Sequence, residues 1–402
     1  MAVEWMENWG HYRDHEDLEA RYTLTKDGAI NGTAIEILPN GGPPTTPAGL
    51  AHPRSPVPGC LRFGVGGGIG PADAAEVAFA FGGTAVNVII GFSLFFEGPS
   101  ATQNVGYDGI VALGAEPDMS LAIDFGSTTD INAERAYLFV RSDKDGISLW
   151  NSETDSNNAD DPLFRALLYN TWYHIEFRVL LDNTVGEFEV RVDGKVWVLQ
   201  TGIDTIPAGS SDTTITEAYF GTDVDEPQSS PGHGAIYRVT DVYVVSVDGG
   251  GNEIDFLYPW MVDTLYPDAD TAEADWTPLG GGDNVDEVDD NPQHDFDSTN
   301  NETNTNTDKD RFTISGSVPE SGQGRVMATQ VIALAKDNLD GADKTARVVI
   351  FENATEGVGT TRTLTESQWQ ALWHLYEDNP DTSAAWLMAD VEAAEIGYEL
   401  VS

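Results

Sequence analysis

Cysteine is almost missing from this chain. Cys60 is the only one among 402 residues, which excludes an intrachain disulfide and any zinc site built on several thiolates. Lysine is nearly as scarce. Six lysines and fourteen arginines stand against 67 acidic residues, for a net charge of 20 − 67 = −47. That balance argues against a nucleic-acid partner, whose affinity rests on clustered Lys and Arg. It disfavours anionic membrane surfaces for the same reason. Long apolar runs are missing too. The longest stretch, residues 86–96, is broken by Asn87, Gly91 and Ser93, and is too short to span a bilayer as a helix. The opening nine residues, MAVEWMENW, carry neither a basic n-region nor an apolar h-region. No secretory signal and no membrane insertion are therefore expected.

What is present argues for a folded chain. Hydrophobic residues make up 40% and aromatic residues 10%, more than a disordered acidic polymer carries. The carboxylates are spread along the whole length, which reads as a surface adapted to concentrated salt and not as one acidic tail. Salt screens the self-repulsion that such a charge creates. An acidic protein from a low-salt setting is the plainer alternative.

Strand signals dominate residues 1–250. Alternating segments such as Thr33-Ala-Ile-Glu-Ile-Leu38, Ser120-Leu-Ala-Ile-Asp-Phe125 and Arg135-Ala-Tyr-Leu-Phe-Val140 recur between turn residues, the pattern of a sandwich or barrel. In residues 172–179, Tyr173, Ile175, Phe177 and Val179 share the face expected to be buried, and Trp172, His174, Glu176 and Arg178 share the other. In residues 187–192, Phe188, Val190 and Val192 point inward and Glu187, Glu189 and Arg191 face water. These two segments read as neighbouring strands of one sheet, and Asp193-Gly194 supplies the type I′ turn to the strand that follows.

The glycine-rich stretch Val245-Ser-Val-Asp-Gly-Gly-Gly-Asn252 marks a boundary, giving domains 1–248 and 252–402. Residues 280–310 form a long acidic loop almost free of apolar side chains. Strands resume at Arg311-Phe-Thr-Ile-Ser315, at 326–335 and at 344–351. Residues 369–376 fit a helix through Trp369, Leu372, Trp373 and Tyr376, and fit a strand through Trp369, Ala371, Trp373 and Leu375 equally well. A short helix is expected at 384–394 and a closing strand at 396–401. The expected fold is all-β, a sandwich followed by a second, mostly β domain.

The catalytic inventory is thin. No Glu-x-Asp-x-Glu pattern offers the two carboxylates of a jelly-roll glycosidase; Glu187-Phe-Glu189 is the nearest and faces solvent. No nucleophile elbow occurs, and Gly64-Val-Gly-Gly-Gly-Ile-Gly70 lacks the Lys-Ser/Thr of a phosphate loop. His11 and His15 are spaced to share a helix face, a weak metal signal. The acidic loop offers hard oxygens suited to a structural Ca²⁺ or Mg²⁺. Its candidate ligands are Asp283, Asp286, Asp289 and Asp295, and a solvated loop is the plainer reading. Trp172 and Trp197 are the weak candidates whose strand phase could expose a ring for stacking on a sugar, and packing in the core or at a subunit interface is the favoured reading for both. No catalytic or cofactor-binding residue is assigned.

Four segments carry a resemblance. They are Trp5-Met-Glu-Asn-Trp-Gly-His-Tyr12; Asn170-Thr-Trp-Tyr-His-Ile-Glu-Phe177 with Glu187–Gly194; Asp255-Phe-Leu with Asp263-Thr-Leu-Tyr-Pro-Asp-Ala-Asp, Asp275-Trp-Thr-Pro278 and Asn284-Val-Asp-Glu-Val288; and Asn379-Pro with Ala384-Ala-Trp-Leu-Met-Ala-Asp-Val and Ile396-Gly-Tyr-Glu-Leu-Val401. Together they resemble a family of tailed-virus virion structural proteins built on a concanavalin A/laminin-G-like jelly roll. With the lysine-poor composition, the resemblance points to a virus of a haloarchaeon. At Tyr237-Arg-Val-Thr-Asp241 the chain departs from the family's Tyr-x-Asp-Asp pattern. The resemblance implies a non-enzymatic tail component or capsid appendage, assembled in the host cytoplasm and carried on the virion. Its expected partners are other virion proteins, a host cell-surface glycoprotein and further copies of itself, as a trimer or pentamer. The alternative is a virion-bound glycan-degrading enzyme on the same scaffold.

Overall fold

The computed structural model describes residues 2–7, 9, 21, 23–26, 35–38, 59–63, 75–99, 106–113, 119–125, 135–142, 147–152, 166–206, 213–221, 235–247, 256–257, 262, 264–288, 300–315, 326–337, 343–365 and 368–402. They divide into two units, one of Met1–Gly10 and Tyr22–Val262, the other of His11–Arg21 and Asp263–Ser402. None of the helices among them is long and apolar enough to cross a membrane.

The first unit is built from β1 (Ala2–Glu7), β2 (Thr23–Lys26), β3 (Ile35–Leu38), β4 (Cys60–Phe63), β5 (Ala75–Ala85), β6 (Asn87–Pro99), β7 (Gly106–Leu113), β8 (Met119–Phe125), β9 (Arg135–Ser142), β10 (Ile147–Asn151), β11 (Ala166–Leu168), β12 (Trp172–Leu180), β13 (Gly186–Val192), β14 (Lys195–Ile203), β15 (Ile215–Gly221) and β16 (Ala235–Ser246). They form two eight-stranded sheets. The first runs β14-β13-β12-β6-β16-β4-β3, with β1 also paired to β16; the second runs β10-β9-β8-β7-β15-β5-β2, with β11 beside β9. The chain passes between the two sheets repeatedly, for example at β5 to β6, β6 to β7, β11 to β12 and β15 to β16. The result is a jelly-roll β-sandwich of two antiparallel sheets.

Period-two alternation decides what fills it. Val88, Ile90, Phe92, Leu94 and Phe96 of β6 are all fully buried. Phe92 meets Phe220 of the opposite sheet edge-on, with ring centroids 5.2 Å apart. The Tyr237 hydroxyl crosses the interior to donate to the Gly109 carbonyl at 3.1 Å. Ile175, Phe177 and Val179 join this core, as their phase requires. β12 and β13 are antiparallel neighbours. Both turn residues have positive φ, 49° at Asp193 and 72° at Gly194, the geometry that selects Asp-Gly.

Trp197, a weak candidate for stacking, is packed and does not offer its ring. The β13–β14 register slips between Val190 and Arg191. Trp197 is the extra residue of this bulge, between Val196 and Val198, and it is packed at 5% exposure.

The second unit contains β17 (Tyr266–Ala274), β18 (Thr277–Pro278), β19 (Asn301–Glu302), β20 (Lys309–Ser315), β21 (Thr329–Ala335), β22 (Thr345–Glu352), β23 (Thr355–Val358), β24 (Arg362–Thr363), β25 (Gln370–Tyr376), the helix α1 (Met388–Ala393) and β26 (Glu395–Leu400). The main sheet runs β17-β20-β26-β22-β23 with β24 beside β22, while β21 pairs with β25 and β18 with β19. Residues 370–376 are thus a strand. Leu372 and Tyr376 on one face join Val331, Val348, Ile350 and Trp386 in the core. Trp386 is fully buried and its indole N–H donates to the Tyr376 carbonyl at 2.9 Å.

The acidic segment begins as ordered structure. A single 3-10 turn, Val285–Glu287, is held by Asn284. The Asn284 side chain donates to the Trp276 carbonyl and to Asp310, each at 2.8 Å. Asp310 also accepts from the Trp276 N–H at 2.9 Å and the Tyr398 hydroxyl at 3.2 Å. Burial raises the Asp310 carboxyl above its ordinary pKa, against the pull of these donors.

Candidate functional site

The outer face of the first sheet gathers the polar and aromatic side chains that strand alternation excludes from the core. One end is an aromatic and charged array. Trp172 of β12 and Phe95 of β6 are cross-strand partners, with ring centroids 5.2 Å apart and a tilt of 47°. The Arg238 guanidinium lies 5.4 Å from the Phe95 ring centre. Its Nε donates to Glu97 Oε1 at 2.6 Å. Arg62 closes the group, donating from Nε to Glu97 Oε1 at 2.9 Å and from its terminal nitrogen to Oε2 at 2.8 Å. Burial acts to raise the Glu97 pKa, but hydrogen bonds from Arg62 and Arg238 outweigh it and hold the carboxyl below its ordinary value. All five side chains are half-buried, so each keeps an accessible edge.

The centre of the face is sealed. Glu176 is 0% exposed and His174 only 8%, although both point away from the core. Their cover is the chain's own exit from the sandwich. The Leu257 N–H donates to Glu176 Oε1 at 2.6 Å. Phe256 lies under the Arg191 guanidinium at 3.7 Å. The Val262 N–H donates to Asp241 Oδ1 at 3.1 Å. Beneath this strap the Tyr243 hydroxyl donates to Glu176 Oε1, and the His174 ring stacks on Tyr243 with centroids 6.1 Å apart. The Tyr243 ring lies over Gly91, where a Cβ would collide with it. Burial, then the Glu176 charge, drives the Tyr243 phenol well above its ordinary pKa, so it serves as a fixed donor. Glu189, expected to face water, is also buried, at 5% exposure, and pairs with Arg191 at 2.7 Å.

The residues singled out in the sequence do not converge. Trp172 stands on this face, half-buried, and Trp197 is buried. Asp283 and Asp286 are exposed, and Asp286 Oδ2 accepts the Asp283 N–H at 3.4 Å. Asp289, Asp295, His11 and His15 lie outside the described residues. Among the described residues no group of three or more His, Cys, Asp or Glu side chains is placed to hold a metal ion. Sequence reading missed Glu97, Arg62 and Arg238, which are distant in the chain and meet only through β4–β16–β6 pairing. It also missed the strap. The only trace of the strap in the sequence is an apolar pair, Phe256-Leu257, beyond the glycine run.

No protein-family model matches this chain, and no curated protein does. Solved structures resemble it in part. A mutant of the alginate lyase Aly36B in complex with an alginate trisaccharide aligns with 61% of this chain and 99% of its own length, at 12% identity and a TM-score of 0.41. The cellulose induced protein Cip1 aligns with 62% of this chain and 100% of its own, at 14% identity and a TM-score of 0.39. A legume lectin-like domain from Entamoeba histolytica aligns with 62% of this chain and 99% of its own, at 10% identity and a TM-score of 0.31.

Proposed function

We propose that this chain is a non-enzymatic glycan-binding protein, displayed on a virus particle, whose binding face is the Trp172 end of the first sheet. The observation that carries the binding reading is the array itself. Two half-buried aromatic rings lie beside a carboxylate fixed between two guanidiniums. Sugar rings stack on aromatic faces through their C–H surfaces, and pre-positioned Arg and Glu groups hydrogen-bond their hydroxyls without an ordering cost. The particle setting, with host attachment and assembly among its roles, rests on the sequence resemblance.

Glycan cleavage is the second reading, and the His174–Glu176–Tyr243 group favours it by supplying titratable groups on the same face. Against it, a general acid or base must reach the proton it transfers, and Glu176 is sealed beneath Leu257. One experiment separates the two. Host surface glycans are incubated with the chain at high salt, and both retention and released sugars are measured. Retention without release, lost in Trp172→Ala, is the expected result. Release of sugars that depends on Tyr243 supports the enzyme instead. Mass spectrometry of purified particles tests the setting, and absence of the chain from them overturns it.

A further inference from the structure

Several basic side chains of the second unit are committed to carboxylates. Arg311 lies 2.8 Å from Glu273 and 3.2 Å from Glu395, Arg347 lies 2.6 Å from Glu399, and Lys309 pairs with Glu356. Glu352 and Asp381 share an amide instead of a cation. Glu352 ends β22, and Asp381 lies in the loop that follows β25. The Asn353 Nδ2 donates to Glu352 Oε1 at 2.6 Å and to Asp381 Oδ2 at 3.1 Å, so one nitrogen brings the two carboxylates together. Thr355, opposite Glu352 in the β22–β23 pairing, donates its hydroxyl to Asp381 Oδ1 at 2.6 Å. Asn379 fixes the loop, its Oδ1 accepting the Asp381 and Thr382 N–H groups at 2.8 Å and 3.2 Å. The hydrogen bonds from Thr355 and Asn353 hold the Asp381 carboxyl below its ordinary pKa, so it is ionised at neutral pH. Glu352 is the anomaly. It is only 4% exposed, and its buried Oε2 meets no hydrogen-bond donor among the described residues. An unmet oxygen on a buried carboxylate is costly, and buried charges are as a rule paired or bound to a metal.

A neutral amide donates to both carboxylates but leaves their mutual repulsion in place and the second Glu352 oxygen unmet. A hard cation removes both costs. We propose that Glu352, Asp381 and Asn353 form a calcium site that ties the β22–β23 hairpin to the loop at residues 378–383. Glu352 Oε2 and one Asp381 oxygen bind the ion directly. The Asn353 amide turns over, so that its Oδ1 faces the ion in place of Nδ2, and water fills the remaining positions. Asn353 is exposed at the hairpin turn, with a φ of 53°, so this turn of the side chain disturbs no core packing. Ca²⁺ accepts such a mixed oxygen set in a flexible geometry, whereas Mg²⁺ demands a near-ideal octahedron and sheds its water reluctantly. With two carboxylates the site is a weak one, in the range of about 10⁻⁴–10⁻³ M. It belongs to the second unit and does not depend on the Trp172 face or on the acidic loop at 280–310.

Calorimetric titration of the full chain, stripped of divalent ions by a chelator and held at constant high ionic strength, tests this with calcium chloride and magnesium chloride as the probes. Calcium is expected to bind, to raise the melting temperature and to outbind magnesium. Glu352→Gln is expected to weaken calcium binding by about tenfold or more, yet to melt no lower than the natural chain in the chelator, because it removes the repulsion along with the ligand. Asp381→Asn, at an exposed position, gives the same loss of binding should Glu352→Gln fail to fold. Asn353→Asp adds a third carboxylate at a left-handed position that Asp tolerates and is expected to tighten the binding. The proposal is overturned if calcium changes neither the heat nor the melting temperature, or if magnesium binds as tightly. It is also overturned if Glu352→Gln and Asp381→Asn bind calcium as the natural chain does, which places the ion elsewhere.

Discussion

Glu97 sits between two guanidiniums, and its titration is a direct handle on the candidate face. Its folded pKa is depressed, so the stability it contributes is present above the unfolded value of about 4.3. That contribution is lost as pH falls through the folded value. Glu97→Gln should therefore be less stable than the natural chain at neutral pH, with the gap closing on acidification. Thermal melts across that range measure it, and a gap that stays constant down to about pH 2 refutes the assignment. Tyr243→Phe removes a buried donor from Glu176 and should cost about 1–3 kcal/mol in denaturant unfolding. Gly91→Ala should cost at least as much, because the Tyr243 ring occupies the space of the new methyl group.

Turns and registers explain which elements could be read from the residues. Asp193-Gly194 was legible because a two-residue loop with both φ positive accepts few residue types. Gly194→Val should cost about 1–2 kcal/mol, measured by equilibrium unfolding. The inward phase of Ile175, Phe177 and Val179 was legible for a similar reason: their period is uninterrupted. Trp197 was not, since it is the extra residue of a bulge between Val196 and Val198, and local alternation does not mark a bulge. Residues 369–376 fit both periods. Pairing with β21 decided for the strand, and that pairing is non-local. Of the candidate face, Trp172 was legible from alternation. The Arg62–Glu97–Arg238 group was not, because it exists only once three strands far apart in sequence lie side by side.

The net charge of −47 belongs to the molecule as a whole. Lowering the salt to about 0.1 M lengthens the Debye distance to about 10 Å and restores repulsion among the carboxylates. Unfolding or loss of assembly is expected there, followed by circular dichroism, and full stability would exclude the salt-adapted reading. Light scattering at molar salt tests the proposed trimer or pentamer, and a clean monomer removes it. With Trp386 and Tyr376 in the core, such contacts must use other surfaces. The strap has a mechanical consequence. Tension arriving along the chain from residue 263 meets the Val262–Asp241 hydrogen bond, in the middle of β16, and the Leu257–Glu176 hydrogen bond, on β12, before it reaches the C-terminal end of β16. The strap is thus a strain relief, like the clamp on a cable. It spreads load over the face of the sheet and spares the C-terminal end of β16, the strand that pairs with β6, β4 and β1, from being peeled away first.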